Sequence, residues 1–169
     1  HGVALIVTGG VAPAPSGVGM EGGAVLNDAS QLPHHRIVTD AVHREGGKIA
    51  LQILHTGRYS YQPNLVAPSA IQAPINRFKP HALSHDEILA LIDDFARCAA
   101  LAREAGYDGV EVMGSEGYLI NEFLAARTNQ RDDEWGGDYA RRMRFAVEVV
   151  RAVRERAGAD FIIVFRLSM

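Results

Sequence analysis

The stretch GVEVMGSEGYLINEFLAARTNQRDDEWGG (residues 109–137) combines a short apolar run with a long polar continuation. Its apolar part, VEVM, predicts a buried strand. The remainder places a tyrosine, several acids and several arginines directly beyond the end of that strand. A buried strand does not require these polar side chains. The stretch therefore predicts a core strand with a set of candidate functional residues next to it.

Short apolar runs alternate along the chain with segments that have helical periodicity: VALIV (3–7), IALQIL (49–54), VEVM (110–113) and FIIVF (161–165). This order predicts βα units and a parallel sheet. The clearest helix begins after Ser84, which forms a capping box with Glu87, and it ends at Gly106. A second helix follows Asp138 and ends at Gly158.

The helical segments carry apolar residues that we expect to pack against the sheet. In the helix after residue 84 these are Ile88, Leu91, Ile92, Phe95, Ala99 and Ala102. In the helix after residue 138 they are Met143, Ala146, Val147, Val150 and Val153. An earlier helix, which stops at a pair of glycines, carries Ile37, Val38, Ala41 and Val42.

The loops after the predicted strands are long and polar, whereas those after the helices are short. In a (β/α)8 barrel this asymmetry marks the face that carries the active site. A complete barrel has eight strands and roughly 250 residues, whereas this chain of 169 residues supplies four strands. We therefore expect an α/β fold in which residues 1–169 form about half of a (β/α)8 TIM barrel. Because the sequence begins in a strand without an initiator methionine, we also expect a cut from a longer chain.

The composition excludes several classes of partner. A hydrophobic content of 47% with a formal net charge of -3 does not favour nucleic acid or an anionic membrane. Cys98 is the single cysteine, so no internal disulfide framework can form, and no apolar run is long enough to span a membrane. These features predict a reducing, cytoplasmic location. His34 and His35 lack acidic or cysteine partners at metal-ligand spacing, so no metal site is predicted.

Residues 17–22 read GVGMEG, which matches the GxGxxG pattern of dinucleotide-binding folds. The predicted first strand ends well before this pattern, and no helix is predicted to start on it. A Rossmann fingerprint requires both elements next to the glycines. We therefore reject this interpretation.

Together these stretches resemble the Old Yellow Enzyme family of flavin-binding (β/α)8 barrels, and they are most similar to the bacterial NADPH-dependent 2,4-dienoyl-CoA reductases. Besides residues 109–137, the resemblance rests on VTGG (7–10), LQILHTGRYS (51–60), VAPSAIQAPINRF (66–78), DYARRMRFAVEVVRAVRERAG (138–158) and FRLSM (165–169). It implies that the chain covers about strands 2 to 5 of an N-terminal FMN-binding barrel. It also implies that FAD, a 4Fe-4S cluster and NADPH are bound only outside this chain.

The resemblance assigns roles to five residues. Tyr118 matches a tyrosine that donates a proton to the reduced alkene, which suits a phenol because phenols stay protonated at neutral pH. Glu116 stands in the place of a glutamate thought to tune that proton supply. The matched flavin contacts are Gly10 through its backbone, Gln52 at the polar edge of the ring, and Arg166 beside the negative charge of the reduced ring.

Each assignment has a structural alternative. Tyr118 could pack its ring under a loop, and Glu116 could be a solvated carboxylate. Gln52 interrupts an apolar run, so its carboxamide must be hydrogen-bonded, either to the flavin or to a neighbouring strand or buried water. Arg166 could form an ion pair with Glu111 on the adjacent strand.

Two positions depart from the wider family, which commonly has histidine where Met113 stands and asparagine or histidine where Glu116 stands. In the family that pair binds the carbonyl of an enone, and the dienoyl-CoA reductases resemble this chain in lacking it. Arg127 is the candidate contact for the phosphates of an acyl-CoA substrate. Arg127 and the nearby Arg131 could instead form salt bridges with the acids at 132–134.

The sequence thus predicts an FMN-dependent ene reductase, most similar to enzymes that reduce 2,4-dienoyl-CoA in unsaturated fatty acid β-oxidation. A hydride from flavin N5 and a proton from Tyr118 would saturate one double bond. Alternatives are another NADH:flavin oxidoreductase acting on other alkenes or amines, a truncated fragment without activity, and a flavin-free aldolase or isomerase barrel. The last is disfavoured because Lys48 stands at the start of a strand, away from the catalytic face.

Overall fold

The computed structural model describes residues 2–168. In chain order the helices and strands are β1 (Leu5–Val11), α1 (Leu32–Arg44), β2 (Lys48–Ile53), β3 (Val66–Ala67), β4 (His81–Ala82), α2 (His85–Glu104), β5 (Gly109–Gly114), α3 (Leu119–Leu124), α4 (Tyr139–Ala157) and β6 (Ile162–Leu167). Short 3-10 turns cover Pro15–Gly17, Ala29–Gln31 and Gly57–Tyr59.

The four longer strands form one parallel sheet in the order β1-β2-β5-β6, and β3 pairs with β4 in a separate small sheet. In the larger sheet each strand lies beside the long strand that precedes it in the chain, with helical segments between them. Consecutive βα units of a (β/α)8 barrel have this arrangement, because each new strand joins the same growing edge. The described residues therefore form about half of such a barrel, as the sequence predicts.

The central strand β5 is buried at all six of its residues. It pairs with β2 on one edge and with β6 on the other. The register places Gln52 opposite Glu111, and Glu111 opposite Val164. Because the strands are parallel, their carboxyl ends lie at one edge of the sheet. The loops that carry the predicted site residues therefore all start from that edge.

The predicted ends of α2 and α4 are confirmed. Ser84 accepts a hydrogen bond from the N–H of Glu87, and the Glu87 side chain accepts one from the N–H of Ser84. Gly106 (φ 90°) follows the end of α2, and Gly158 (φ 90°) follows the end of α4. Asp138 caps the first turn of α4. Among the helices in residues 2–168, none is both long and apolar enough to cross a membrane.

Aromatic packing joins α2, α3 and α4 over the sheet. The rings of Phe123 and Phe145 stack with their centroids 4.2 Å apart, and Phe95 meets Phe145 edge-on at 6.3 Å. Cys98 lies in this core with no exposed surface, and burial raises the pKa of its thiol well above the usual range. Cys98 therefore acts as a small core residue.

Four apolar residues that the helical pattern predicts to pack against the sheet are instead exposed: Ile37, Val38, Ala41 and Val147. On α1 the inward positions belong to Leu32 and Thr39, and the Thr39 hydroxyl donates to the carbonyl of Ala105 at 2.7 Å. Periodicity identifies apolar positions, but it does not identify the neighbour that covers them. The burial prediction is therefore wrong for these four residues.

The exposed positions lie on the two outermost helices of the described chain. Along the described chain α1 is the first and α4 the last α-helix, and both pack against α2. On α4, Val147 borders an apolar groove of about 750 Å³ together with Tyr139, Met143 and Phe165. This groove lies between α3, α4 and the end of β6, and neither Gly10 nor Tyr118 lines it.

Sequence reasoning missed α3, β3 and β4. The helix α3 has six residues and the strands β3 and β4 have two each. A periodic pattern needs more residues than these elements contain. Their positions are set by contacts with the loops around them and not by local sequence.

Asp108 fixes the opposite edge of the sheet, just before β5 begins. Its carboxylate accepts hydrogen bonds from His43 Nε2 at 2.8 Å, Lys48 Nζ at 2.9 Å and the Ile49 N–H at 2.9 Å. Burial acts to raise the pKa of Asp108, but these three donors outweigh it and lower that pKa to about 2. The carboxylate therefore ties α1 and β2 to the start of β5.

We expect Asp108→Ala to lower the free energy of unfolding by about 2 to 3 kcal/mol, because it removes a charged acceptor and leaves its donors without a partner. Urea titration of the variant and of the parent measures this loss. The exposed Asp132→Ala is the matched control and should change stability by less than about 0.5 kcal/mol.

The same carboxylate predicts a pH dependence. Its folded-state pKa is depressed, so its contribution is present above the unfolded pKa of roughly 4 and is lost as the pH falls through about 2. The stability difference between the parent and Asp108→Ala should therefore shrink over this range. A constant difference across the range would contradict the proposed role of the charge.

Candidate functional site

A cavity of about 400 Å³ opens at the carboxyl ends of β1 and β2. Its lining includes Gly10, Leu54, Thr56 and Tyr118, together with small residues of the loop at 17–24. The structure thus brings together a residue predicted to contact a cofactor and the residue predicted to donate a proton. These two are 108 positions apart in the sequence, and only the parallel sheet brings their loops to one edge.

Gly10 lies in β1 directly opposite Gln52 on β2. A Cβ at this position would overlap the Leu54 side chain and would lie 3.2 Å from Gln52 Oε1. A larger residue here would displace both neighbours, so the close approach requires glycine. The backbone of Gly10 consequently forms part of the cavity wall without a side chain in front of it.

The carboxamide of Gln52 is satisfied by the neighbouring strand. Its Nε2 donates to Glu111 Oε1 at 2.7 Å, and the Gln52 N–H donates to Thr8 Oγ1 at 3.0 Å. This is one of the two alternatives left open by the sequence. It does not exclude the other, because Gln52 Oε1 faces Gly10 and remains an acceptor.

Arg166 pairs with Glu116, with 2.6 Å between Nη2 and Oε1. The alternative pairing with Glu111 is wrong. In the sheet register Arg166 lies opposite Met113, and Glu111 lies two residues before Met113 on β5. Glu111 accepts a hydrogen bond from Gln52 instead. The pair joins the loop after β5 to the end of β6. Both side chains are about half exposed, at 48% and 49%, so their charges remain accessible to a ligand.

Glu116 also has an unusual backbone. Its φ is 61°, in the left-handed region that residues other than glycine rarely adopt. Its N–H donates to Ser168 Oγ at 3.0 Å, which holds this conformation from the β6 side. Strained residues held by their surroundings are concentrated at functional sites. The orientation of the Glu116 side chain is therefore fixed both by its backbone conformation and by its ion pair with Arg166.

Tyr118 follows two residues later and forms the N-cap of α3. Its half-buried ring meets the ring of Tyr59 edge-on, with 6.3 Å between the centroids and an interplanar angle of 84°. One side of Tyr118 thus packs on another tyrosine while the residue also lines the cavity. The packing alternative and the functional prediction are compatible with each other.

Arg131 is used within the fold. It binds Asp133 and donates to the carbonyls of Pro68 and Leu83 at 2.9 and 2.5 Å. The salt-bridge alternative therefore applies to Arg131. Arg127 is exposed and does not line the cavity next to Tyr118. Its substrate-binding role stays a prediction.

Two residues of this region were missed by sequence reasoning. His55 is 2% exposed, its Nδ1 accepts from the Gly57 N–H at 3.1 Å, and burial lowers its pKa to about 3. It is thus a neutral group that shapes the turn after β2. Glu122 is 1% exposed, and its carboxyl contacts Gly57. Glu122 lies four residues after Tyr118, which places the two residues one helical turn apart. Their proximity could be inferred only with α3 assigned as a helix.

The segment GVGMEG begins at the last residue of the 3-10 turn Pro15–Gly17 and continues in irregular backbone. No α-helix begins on it, so its rejection as a Rossmann fingerprint is confirmed. Within residues 2–168, no three His, Cys, Asp or Glu side chains are grouped in a way that could hold a metal ion.

The model of the NADH:flavin oxidoreductase / NADH oxidase family matches residues 1–169. Three individual proteins are also similar to this chain. N,N-dimethylglycine/sarcosine dehydrogenase of Chromohalobacter salexigens is 42% identical over 141 residues, which are 80% of this chain and 20% of that protein. A complex of 2-naphthoyl-CoA reductase with 2-naphthoyl-CoA superimposes with a TM-score of 0.91 at 32% identity, covering 96% of this chain and 27% of the other. Morphinone reductase in complex with tetrahydroNAD superimposes with a TM-score of 0.88 at 35% identity, covering 95% and 50%.

These superpositions confirm the partial TIM barrel. The chain spans between 20% and 50% of the length of these three proteins.

The contact between Gly57 and Glu122 can be tested with two glycine variants. Gly57 has a φ of 57°, and a Cβ there would overlap Glu122 Oε1. Gly46 has a φ of 74°, but a Cβ there would meet nothing within 4 Å. We expect Gly46→Ala to cost about 1 kcal/mol for the left-handed backbone alone, and Gly57→Ala to cost at least about 2 kcal/mol more because of the overlap. Chemical denaturation measures both, and equal losses would show that the carboxyl does not constrain the turn.

Proposed function

We propose that this chain, which belongs to the NADH:flavin oxidoreductase / NADH oxidase family, forms part of an FMN-dependent reductase of 2,4-dienoyl-CoA in unsaturated fatty acid β-oxidation. The observation that carries the proposal is the cavity shared by Gly10 and Tyr118. It places a phenol beside a wall of exposed backbone at the carboxyl ends of parallel strands. In barrels of this type, that edge carries the active site.

The residues around the cavity fit a flat cofactor with polar edges. Small residues line much of it, among them Gly10, Ala12, Gly17, Gly19, Gly23 and Ala24. They let a ring approach the backbone closely. Gln52 and Arg166 do not line the cavity. Gln52 Oε1 faces Gly10, which does line it, and we assign the Arg166 cation at the end of β6 to negative charge on the ring. When bound, FMN would supply the hydride that the distal end of the conjugated diene receives.

The proton is the part of the reaction that this chain supplies. Tyr118 donates its phenolic proton to the carbon next to the thioester carbonyl, while the distal end of the conjugated system receives the hydride. The diene thereby becomes a monoene whose remaining double bond lies between these two carbons. General acid catalysis requires the donor to lie within hydrogen-bond reach of the accepting atom. Glu116 lies two residues before Tyr118 in the same loop, and we assign it the role of supporting the proton supply.

The acyl-CoA assignment has two supports. One similar structure is a reductase in complex with 2-naphthoyl-CoA, which is itself a CoA thioester. Met113 carries a thioether, which has no hydrogen to donate to a carbonyl oxygen, so it cannot act as the carbonyl-binding histidine of the wider family. Arg127 is exposed, and we assign it to the phosphates of CoA.

Further cofactors belong to the same proposal. FAD, a 4Fe-4S cluster and NADPH would be bound by other parts of the full-length protein and would deliver electrons to FMN. Such a cluster takes four thiolate ligands, whereas Cys98 is the single cysteine of this chain. A reducing cytoplasm, where an unpaired thiol is stable, is the proposed location.

A second candidate is oxidation of an N-methyl amine. It is favoured by the 42% identity to N,N-dimethylglycine/sarcosine dehydrogenase. In that case the substrate would lose a hydride to the flavin, and no proton donor for a carbon would be needed. The two candidates therefore differ in their dependence on Tyr118.

We expect Tyr118→Phe to slow the reduction of 2,4-dienoyl-CoA by about 100-fold or more, because it removes the general acid. The full-length protein is reduced without oxygen, and flavin absorbance is followed after addition of 2,4-dienoyl-CoA. Tyr61→Phe, at a tyrosine that is 53% exposed, is the matched control and should keep the parental rate.

Three results would contradict the proposal. The first is reduced flavin that ignores 2,4-dienoyl-CoA, which rejects the substrate. The second is an unchanged rate in Tyr118→Phe, which rejects the proton donor. The third is reduction of oxidised flavin by sarcosine or N,N-dimethylglycine without any reaction with dienoyl-CoA, which selects the second candidate.

Adjacent glycines test the cofactor site. A Cβ at Gly10 would overlap Leu54, whereas a Cβ at Gly9 would meet nothing within 4 Å. We expect Gly10→Ala to weaken FMN binding at least about tenfold, which is about 1.4 kcal/mol, while Gly9→Ala keeps the parental affinity. Quenching of FMN fluorescence by the apoprotein measures both affinities. Equal affinities would place the flavin away from this wall.

A further inference from the structure

Glu122 is a buried carboxyl group to which the proposed reaction gives no role. It lies one helical turn after Tyr118, and its N–H donates to the Tyr118 carbonyl at 2.8 Å. Its Oε1 accepts from the Arg58 N–H at 2.9 Å. Its Oε2 is buried and has no hydrogen-bond partner among the described residues. Burying a carboxyl group in this way is costly, so its presence one helical turn after Tyr118 requires an explanation.

The carboxyl lies directly against the turn Gly57–Tyr59. Gly57 has a φ of 57°, and a Cβ at that position would overlap Glu122 Oε1. The Arg58 N–H, which follows in the turn, is the donor to the same oxygen. Glu122 therefore contacts this turn by packing at one residue and by hydrogen bonding at the next.

Tyr59, the last residue of that turn, contacts the loop that carries Tyr118. Its Cε2 would lie 3.0 Å from a Cβ at Gly117, so the ring rests on the backbone just before Tyr118. Its ring also meets the Tyr118 ring edge-on at 6.3 Å. The Arg58 guanidinium lies 5.3 Å from the centroid of the Tyr59 ring. The position of Tyr59 thus depends on the conformation of Gly57–Tyr59. The Tyr59 ring then limits where the Tyr118 ring can lie.

We propose that Glu122 is a positioning residue for Tyr118, acting through the turn Gly57–Tyr59 and the ring of Tyr59. This proposal rests on the assignment of Tyr118 as the proton donor. Its structural part, the coupling between Glu122 and the Tyr118 ring, can be tested without flavin or substrate.

The protonation state of Glu122 gives the coupling a measurable signature. Burial raises the pKa of Glu122 to about 8, although the Arg58 N–H and the Arg58 guanidinium act to lower it. The carboxyl is therefore mostly neutral at neutral pH and becomes charged in mildly alkaline solution. The new charge attracts the guanidinium, whose Nε is buried without a partner among the described residues. Movement of Arg58 would then shift the Tyr59 ring beneath it.

Other titratable or charged groups belong to the elements around Glu122. On the turn these are Arg58 and Tyr59, and in the loop before it His55, which is neutral over this pH range because burial lowers its pKa to about 3. On α4, Arg142 donates to the Leu124 carbonyl at 2.8 Å. On β5, Glu111 is held by Gln52. Among them, Arg58 is the group whose charge opposes the effect of burial on the pKa of Glu122.

The experiment uses the full-length protein with tyrosine labelled with 13C at Cζ and glutamate labelled with 13C at the carboxyl carbon. Both signals are followed by NMR from about pH 6 to about pH 10. We expect the Tyr118 signal of the parent to shift with the midpoint of the Glu122 carboxyl, near pH 8. Glu122→Gln is a neutral isostere, so its Tyr118 signal should match that of the parent at pH 7 and should lose this step.

Two further variants separate the coupling from a general effect. Tyr59→Leu removes the ring that carries the coupling, so Glu122 should still titrate while the Tyr118 signal no longer follows it. Glu148→Gln, at a glutamate on α4 that pairs with Arg151, should leave the step unchanged. A Tyr118 signal that ignores the Glu122 titration, or a step that persists in Glu122→Gln or Tyr59→Leu, would overturn the proposal.

Kinetics give a second measurement. The rate of reduction of 2,4-dienoyl-CoA by the parent should fall about tenfold above the Glu122 midpoint, and this alkaline limb should be absent in Glu122→Gln with KM unchanged. A limb that persists in Glu122→Gln would count against the proposal. If Tyr118→Phe keeps the parental rate while the NMR coupling is present, the proton-donor assignment fails and the structural coupling stands.

Discussion

The parallel pairing of β5 with β2 and β6 is the constraint on which the rest of the structure depends. All six residues of β5 are buried, so the strand is stable only with a partner on each edge. The register places Gln52 level with Glu111, and their hydrogen bond satisfies two polar groups in the middle of the sheet. A shift of one residue would separate this pair. It would also move the loops after β2 and β5 relative to each other.

Those loops are locked together by glycines. At three places a Cβ would lie 3.0 Å or closer to a side chain on another loop or helix: Gly17 beside His55, Gly57 beside Glu122, and Gly117 beside Tyr59. Each contact allows backbone and side chain to approach more closely than two ordinary residues could. The loops after β1, β2 and β5 therefore form one connected layer over the strand ends. A cavity wall built in this way keeps its shape although most of it is irregular backbone.

The limits of sequence reasoning follow from the range of the interactions involved. Ser84 and Gly158 mark helix ends through bonds within a few residues, so the sequence predicts them correctly. The partner of Arg166 cannot be identified from local sequence in this way, because both Glu111 and Glu116 follow from the same strand and loop as candidate partners. Only the register of β5 and β6, together with the left-handed backbone of Glu116, selects the second. The six-residue helix α3 also escaped prediction, since its place depends on contacts with the turn after β2.

By itself the sequence determined the order of the four longer strands and of α1, α2 and α4, the resemblance to flavin-binding barrels and the identity of the candidate residues, because these depend on local periodicity, capping and recognisable motifs. The fold and the family are confirmed, whereas the individual roles of Tyr118, Glu116 and Arg127 stay proposals. Only the tertiary structure decided that Gly10 and Tyr118 share a cavity and that Glu122 lies beneath the turn beside Tyr118. Such contacts join residues far apart in the chain, so they are fixed by strand register and loop packing, which no local pattern encodes.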